Sequence, residues 1–261
     1  MKLAAAVEYC GSRFSGWQYQ NHAPSIQQHV EEALSKIADQ KIQIHCAGRT
    51  DAGVHALSQV IHFETSAARP MKAWQFGCNT HLLPDVSLLW AKIVAEDFHA
   101  RYSALNRTYR YIIFNRPVRP AINQDLVTWE YRNLNVDLMQ KAGRSLIGEH
   151  DFTSFRAAGC QSKTAVREIQ KLEVFRNGRY IIIEICANAF LQHMVRNIAG
   201  VLMEIGMGKA PPEWAQQVLE SRDRTLAGVT APASGLYLTR VDYPEQYQIP
   251  CPAADAWPLI L

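Results

Sequence analysis

Apolar and polar residues recur along the chain with two distinct periods, and those periods sort it into strands and helices. Residues 2–9 form a short apolar run that reads as a strand. From Pro24-Ser25 the period lengthens, with Ile26, Val30, Leu34 and Ile37 at helical spacing, so a helix is expected through Asp39. Residues 42–45 and 59–64 read as short strands flanking a loop punctuated by Gly48 and Gly53, whose backbones turn where other residues resist. Residues 71–81 look helical and 86–94 return to a strand. In 107–114, alternation puts Tyr109, Tyr111 and Ile113 on one strand face and Arg110 and Ile112 on the other. A helix follows Asn135, β-rich runs cover 166–175 and 180–187, and a long apolar helix is expected over 190–207. Pro211-Pro212 opens another helix, and 235–243 closes as a strand.

Each half mixes several strands with one or two helices, the pattern of an α+β fold rather than of a strictly alternating parallel sheet. The boundary is placed near residue 104, giving an N-terminal half 1–104, a C-terminal half 105–245 and an irregular, Pro-rich tail 246–261. No Ser, Gly or Pro linker marks the boundary, so the halves are expected to share an interface.

Composition narrows the class. With 261 residues, 48% of them hydrophobic and 20% charged, the chain can bury a large core without help from metal or disulfides. Its first eight residues are too short in apolar character for a secretory segment, and no stretch approaches membrane-spanning length. Six cysteines are scattered without CxxC pairing, so reduced thiols and a cytoplasmic location are expected. His45, His55 and His62 have no third ligand at a familiar metal spacing, and no metal or other cofactor is expected.

Net charge is +3, which permits an anionic partner without demanding one. The distribution is more informative. Residues 98–124 contain no Asp or Glu, while Arg101, Arg107, Arg110, Arg116 and Arg119 interleave with Phe98, Tyr102, Tyr109, Tyr111 and Phe114. A second acid-free stretch covers 152–167. Guanidinium groups hold phosphates and aromatic faces stack on unpaired bases, so the pattern suits RNA; it suits an ordinary strand with a solvated basic face equally well.

The segment Cys46-Ala47-Gly48-Arg49-Thr50-Asp51-Ala52-Gly53-Val54-His55-Ala56 presents a carboxylate beside an arginine and two glycines. Taken alone, Asp51 reads as a turn residue capping backbone amides. The segment resembles, however, the signature of the TruA family of tRNA pseudouridine synthases. The resemblance continues through Tyr9-Cys10-Gly11, Gly16-Trp17-Gln18, Phe98-His99-Ala100-Arg101-Tyr102-Ser103-Ala104 and Arg107-Thr108-Tyr109-Arg110-Tyr111. It resumes at Gly148-Glu149-His150-Asp151-Phe152, Phe190-Leu191-Gln192-His193-Met194-Val195-Arg196-Asn197-Ile198 and Ala231-Pro232-Ala233-Ser234-Gly235-Leu236. Cys10 replaces a common aspartate and Ser58 a usual glycine, departures that touch loop geometry rather than chemistry.

The resemblance implies a pseudouridine synthase fold of two similar α/β halves, with mainly antiparallel sheets flanking a basic active-site cleft. It implies a cofactor-free isomerase that converts uridines 38, 39 and 40 of the tRNA anticodon stem-loop to pseudouridine, working as a homodimer on tRNA. Asp51 maps onto the catalytic aspartate and Arg196 onto its ion-pair partner. Tyr109 maps onto the tyrosine that packs on the target uracil, Arg49 onto the residue that fills the space left by the extruded base, and Leu236 onto the apolar floor of the pocket. From residues alone Arg196 reads as a helix-surface side chain, Tyr109 as a half-buried strand aromatic and Leu236 as core. Two rival readings are a noncatalytic RNA chaperone on the same scaffold and a carboxylate hydrolase that releases free base.

Overall fold

The first strand, β1 (Lys2–Tyr9), is buried along almost all its length, as befits a strand covered on both faces. It belongs to one of two compact units, Met1–Leu105 with the segment from Tyr237; the other is Asn106–Leu236. The computed structural model describes residues 1–252. After β1 come α1 (Ile26–Ala38), β2 (His45–Cys46), β3 (His55–Glu64) and β4 (Val86–Ile93). The second unit supplies β5 (Asn106–Asn115), β6 (Thr128–Glu130), α2 (Val136–Arg144), β7 (Gly148–Asp151) and β8 (Val166–Asn177). It continues with β9 (Tyr180–Ala187), α3 (Met194–Gly206) and α4 (Trp214–Ser221), and β10 (Leu236–Asp242) follows.

In the first unit the strands run β4–β1–β3–β10. Pairing is antiparallel between β1 and both its neighbours, whereas β10 lies parallel to β3 through Tyr237 beside His55 and Leu238 beside Ala56. Short β2 pairs farther along β3, at Ile61 and His62. In the second unit β5, β9, β8 and β7 form an antiparallel series, and β6 adds a parallel partner to β5. Helices α2, α3 and α4 accompany this sheet, so the fold is α+β with mainly antiparallel strands.

Local chemistry accounts for the element ends. Ser25 caps α1 by accepting from Gln28 N, Asp39 closes it at φ 53, and Ile26, Val30, Ala33, Leu34 and Ala38 supply its buried face. Asn135 caps α2, its Oδ1 accepting from Leu138 N at 3.1 Å. Residues 71–79 are helical, with a wide π turn at Ala73–Gly77 that turns Trp74 into the core against Phe63, ring centroids 5.4 Å apart.

Several expected boundaries are corrected. Residues 42–44 form no strand, because Ile42 N donates to Ser35 Oγ at 2.9 Å and Ile44 N to Glu31 Oε1 at 3.0 Å, so side chains of α1 take the bonds a ladder would use. Strand β3 begins four residues earlier than expected, at His55, where β10 provides a partner. Helix α3 starts at Met194 rather than Phe190, since His193 is left-handed at φ 63 and cannot continue a helix backwards. A 3-10 turn, Glu245–Tyr247, runs into the start of the expected irregular tail 246–261, and residues 253–261 lie outside the described residues.

The basic stretch before and within β5 is only partly available to an outside anion. Arg107 is buried and donates to Asn188 O at 2.9 Å, while Arg110 pairs with Glu184 of β9 at 2.5 Å. Lys171 of β8 reaches the same carboxylate at 2.9 Å. Burial opposes ionisation of Glu184, yet the bonds from Lys171 and Arg110 together hold its carboxyl below the usual range. Because the folded pKa is depressed, the stabilisation is fully present above the ordinary glutamate value of 4.5 and is lost as pH falls through the folded value. Glu184→Gln should lower stability at neutral pH by about 2 kcal/mol, less than for a fully buried pair because Lys171 is half exposed. Denaturant titrations across the acid range should show this variant losing less stability on acidification than the unaltered chain; parallel profiles would remove Glu184 as the source of that pH dependence.

Candidate active site

Asp51 lies in the loop between β2 and β3, in the first unit, and the loop's shape comes from backbone contacts more than from its own sequence. Trp17 N donates to Thr50 O at 3.0 Å, and Val54 N closes a tight turn on Asp51 O at 3.2 Å. Gly53 takes φ 78 within that turn. Beneath it, the hydroxyls of Tyr9 and buried Thr50 are 2.8 Å apart. Gly48 is clamped by the buried Gln59 amide, which accepts from Gly48 N at 3.3 Å and donates to Gly48 O. His55 Nδ1 accepts from Gly11 N at 3.1 Å, and its ring stacks on Tyr237 at 4.6 Å.

Two glycines explain how close the neighbouring segment comes. A Cβ on Gly11 would sit 1.9 Å from Val54 O, and one on Gly16, at φ 94, would sit 2.8 Å from Thr50 O and 3.1 Å from Ala52 N. The loop is therefore held on its inner side by backbone with no room for side chains, while Asp51 is half-buried and Arg49 beside it is exposed. A carboxylate so placed keeps its position without a long side chain of its own to order.

The second unit holds the other candidates. Tyr109 of β5 is only 7% exposed and meets Phe190 edge to face at 4.9 Å. Phe190, which periodicity assigns to a helix, thus serves as a packing wall three residues before the left-handed His193. Arg196, on the first turn of α3, donates from Nε to Ala231 O at 2.8 Å while Ala231 N donates to Arg196 O at 3.1 Å. This two-way contact fixes the guanidinium, which does not snorkel as a free surface side chain. Burial raises the Tyr111 phenol's pKa, against smaller lowering effects from Thr128 and Arg196. Leu236 is buried at the start of β10.

The backbone at Ala231 is pressed against α3: a Cβ on Gly200 would fall 1.9 Å from Val229 O. One turn earlier, fully buried Asn197 ties the region together. Its Nδ2 donates to Phe155 O at 2.7 Å, and its Oδ1 accepts from Thr230 Oγ1 at 2.7 Å and Arg224 Nη2 at 3.1 Å. In the sequence Asn197 stands out only by its polarity on an apolar helix and by its place in the block that ends at Ile198.

Three histidines, His45, His62 and His99, gather in the first unit, while His55 stacks on Tyr237 instead. His62 lies 5.0 Å from His45 and 4.5 Å from His99 between ring centroids, and the His99 ring meets Tyr102 at a tilt of 34°, centroids 4.3 Å apart. Two of the Nδ1 atoms are taken by main chain: His62 Nδ1 accepts from Ala100 N, and His99 Nδ1 from Arg101 N and Tyr102 N. Burial, then the neighbouring His99, His45 and Lys2, pushes His62 down to about 3, so its ring is neutral at ordinary pH. Among the described residues no group of three His, Cys, Asp or Glu is arranged to hold a metal, and no helix is long and apolar enough to cross a membrane.

A family model described as tRNA pseudouridine synthase matches residues 5–103 and 142–244. The first stretch contains Arg49 and Asp51, the second Arg196 and Leu236, and Tyr109 falls between them. The chain is 54% identical over 248 residues to tRNA pseudouridine synthase A of Hydrogenovibrio crunogenus, covering 95% of both chains. It is 55% identical over 250 residues to the Nitrosococcus oceani protein of that name, covering 96% of both, and 53% identical over 249 residues to that of Coxiella burnetii, covering 95% of both. A solved archaeal box H/ACA sRNP Nop10-Cbf5 complex aligns at 8% identity over 85% of this chain and 68% of that chain, with a TM-score of 0.34, too low to bear on the fold.

The backbone contact behind Asp51 can be tested by stability alone. Gly16→Ala should cost about 2 to 3 kcal/mol, combining a left-handed backbone with a clash. Gly208→Ala, at φ 74 but with nothing within 4 Å of a Cβ, should cost only about 1 kcal/mol. Denaturant midpoints would decide; equal losses would mean that the Gly16 contact yields freely.

Proposed function

The chain belongs to the tRNA pseudouridine synthase family, and on that premise we propose that it isomerises uridines 38, 39 and 40 of the tRNA anticodon stem-loop, with Asp51 as the catalytic carboxylate. The observation that carries the reading is the rigid seating of Asp51 in a chain that matches tRNA pseudouridine synthase A proteins over nearly its whole length.

Uridine and pseudouridine have the same atoms, so the reaction needs no oxidant or second substrate. The N1–C1′ bond breaks and its electron pair leaves with uracil; the ring turns, C5 bonds to C1′, the C5 proton departs and N1 is reprotonated. Positive character grows on the sugar as the glycosidic bond opens, which an anion stabilises or captures. Asp51 serves by attacking C1′ or by taking a proton from C2′, and either role is one a carboxylate can fill. Arg196 is assigned the role of counter-cation to this carboxylate, as the family resemblance implies, and its Nε bond to Ala231 O restricts its motion.

A base inside a stem must leave the stack before its sugar can be attacked. Exposed Arg49, two residues from Asp51, is assigned the space the base vacates. Tyr109, braced by Phe190, packs on the detached uracil, where its phenol can receive the C5 proton, and Leu236 floors the pocket. The same reading makes the enzyme a cytoplasmic homodimer that grips one tRNA across its subunits.

Incubation of unmodified tRNA transcript with unaltered and Asp51→Ala protein, without metal or nucleotide, tests the core of this. Site-resolved mapping should find pseudouridine in the anticodon arm only with the unaltered chain, and tRNA affinity should agree within about fivefold. Turnover by Asp51→Ala would falsify the assignment, and free uracil would mark a hydrolase instead. Tyr109→Phe keeps the stacking ring and should retain turnover within about tenfold; a loss of about a hundredfold would give the hydroxyl the proton transfer itself.

A further inference from the structure

The acid-free run 152–167 folds back on two arginines. Arg156 Nη2 donates to Cys160 O at 2.6 Å, while Arg167 donates from Nη2 to Ser162 Oγ at 2.6 Å and from Nη1 to Val166 O at 2.5 Å. Both guanidinium groups thus grip the same short loop. Ala157 N donates to Gln192 O at 3.0 Å, tying that loop to the segment just before α3.

Among the described residues neither arginine has a carboxylate within ion-pair distance, and Arg167 Nε is buried without a hydrogen-bond partner. Burial lowers the Arg167 pKa; the Cys160 sulfur opposes that shift and Arg156 adds to it, as two like charges held near each other must. Cys160 reports the same field from the other side. Burial raises its thiol pKa, but the backbone amides of Gln192 and Ser162 and the Arg156 cation outweigh that and bring it down. The loop favours negative charge and contains no carboxylate to supply it.

Half-buried guanidinium groups without a counter-ion are costly, and two fixed forks suit a tetrahedral oxyanion better than point charges would. We propose that the 156–167 loop is a phosphodiester-binding site in which Arg156 and Arg167 hold one backbone phosphate of the bound RNA. The site extends the reading of the chain as a tRNA enzyme and rests on it. Its contribution is to position the substrate, since a phosphate contact sets register without reading sequence.

Equilibrium binding of unmodified tRNA transcript to the full chain, from about 50 to 200 mM salt, tests the site through counterion release. Arg156→Gln and Arg167→Gln should each weaken binding about three- to tenfold at the low-salt end and reduce the slope of log K against log salt by about one unit. Arg167→Lys keeps a charge and should keep most of the slope, and Cys160→Ala should keep all of it. Thermal melting of each variant accompanies the titration, and turnover at saturating tRNA should stay within about twofold of the unaltered chain. An unchanged slope in both Gln variants would overturn the phosphate site, as would equal slope losses in Arg167→Lys and Cys160→Ala, which point to packing. Pseudouridine formation by the unaltered chain in the same tubes separates these outcomes from failure of the enzymatic reading, in which no pseudouridine forms at all.

Discussion

Gly11 and Gly16 lie so near the backbone at Thr50–Val54 that no side chain fits between them, and the position of the Asp51 carboxylate follows from that contact. A loop held only by its own side chains would carry their rotamer freedom into the site. Here the restraints are main chain to main chain, supported by one buried hydroxyl pair and the Gln59 amide. The neighbouring strands are correspondingly stiff. Tyr9 ends β1, Gln59 sits within β3, and both are buried. What the first unit supplies is placement of the Asp51 carboxylate, and the sheet provides it through the Tyr9 hydroxyl and the Gln59 amide.

The second unit reaches the same end differently. Its helix α3 begins at a left-handed residue, so the turn before it can present Phe190 to Tyr109 while the first helical turn presents Arg196 to Ala231. Gly200 lets the 229–231 backbone lie directly on the helix, and Asn197 bonds to three separate segments from inside the core. A buried amide with every polar atom occupied costs little and constrains much. The Arg110–Glu184–Lys171 group joins three neighbouring strands in a similar way, converting part of an apparently RNA-facing basic stretch into structure.

How much could be read from the chain alone divides along the range of the interactions. Strands β1, β4, β5, β8 and β9 and the caps at Ser25 and Asn135 follow from period and local chemistry, which neighbouring residues settle among themselves. The non-strand at 42–44 does not, because Ser35 and Glu31 capture its amides from an adjacent helix. Nor does the status of Arg110, whose partner Glu184 lies far along the sequence, or the meeting of His45, His62 and His99, which no spacing announces. The Asp51 loop is intermediate. Its motif was legible by resemblance, while the glycines and the Gln59 clamp that shape it became assignable only once the strands had been brought together.

The parallel pairing of β10 with β3 carries a consequence for how the protein is made. During synthesis β3 emerges early, yet its partner at His55 and Ala56 arrives only after the whole of Asn106–Leu236 has left the ribosome. Until then the nascent first unit keeps an unsatisfied strand edge, the kind of surface that recruits chaperones or pairs wrongly with another chain. A message cut short before Tyr237 would yield the Asp51 loop without the strand that flanks it, so quality control in the cell has a physical handle on incomplete copies.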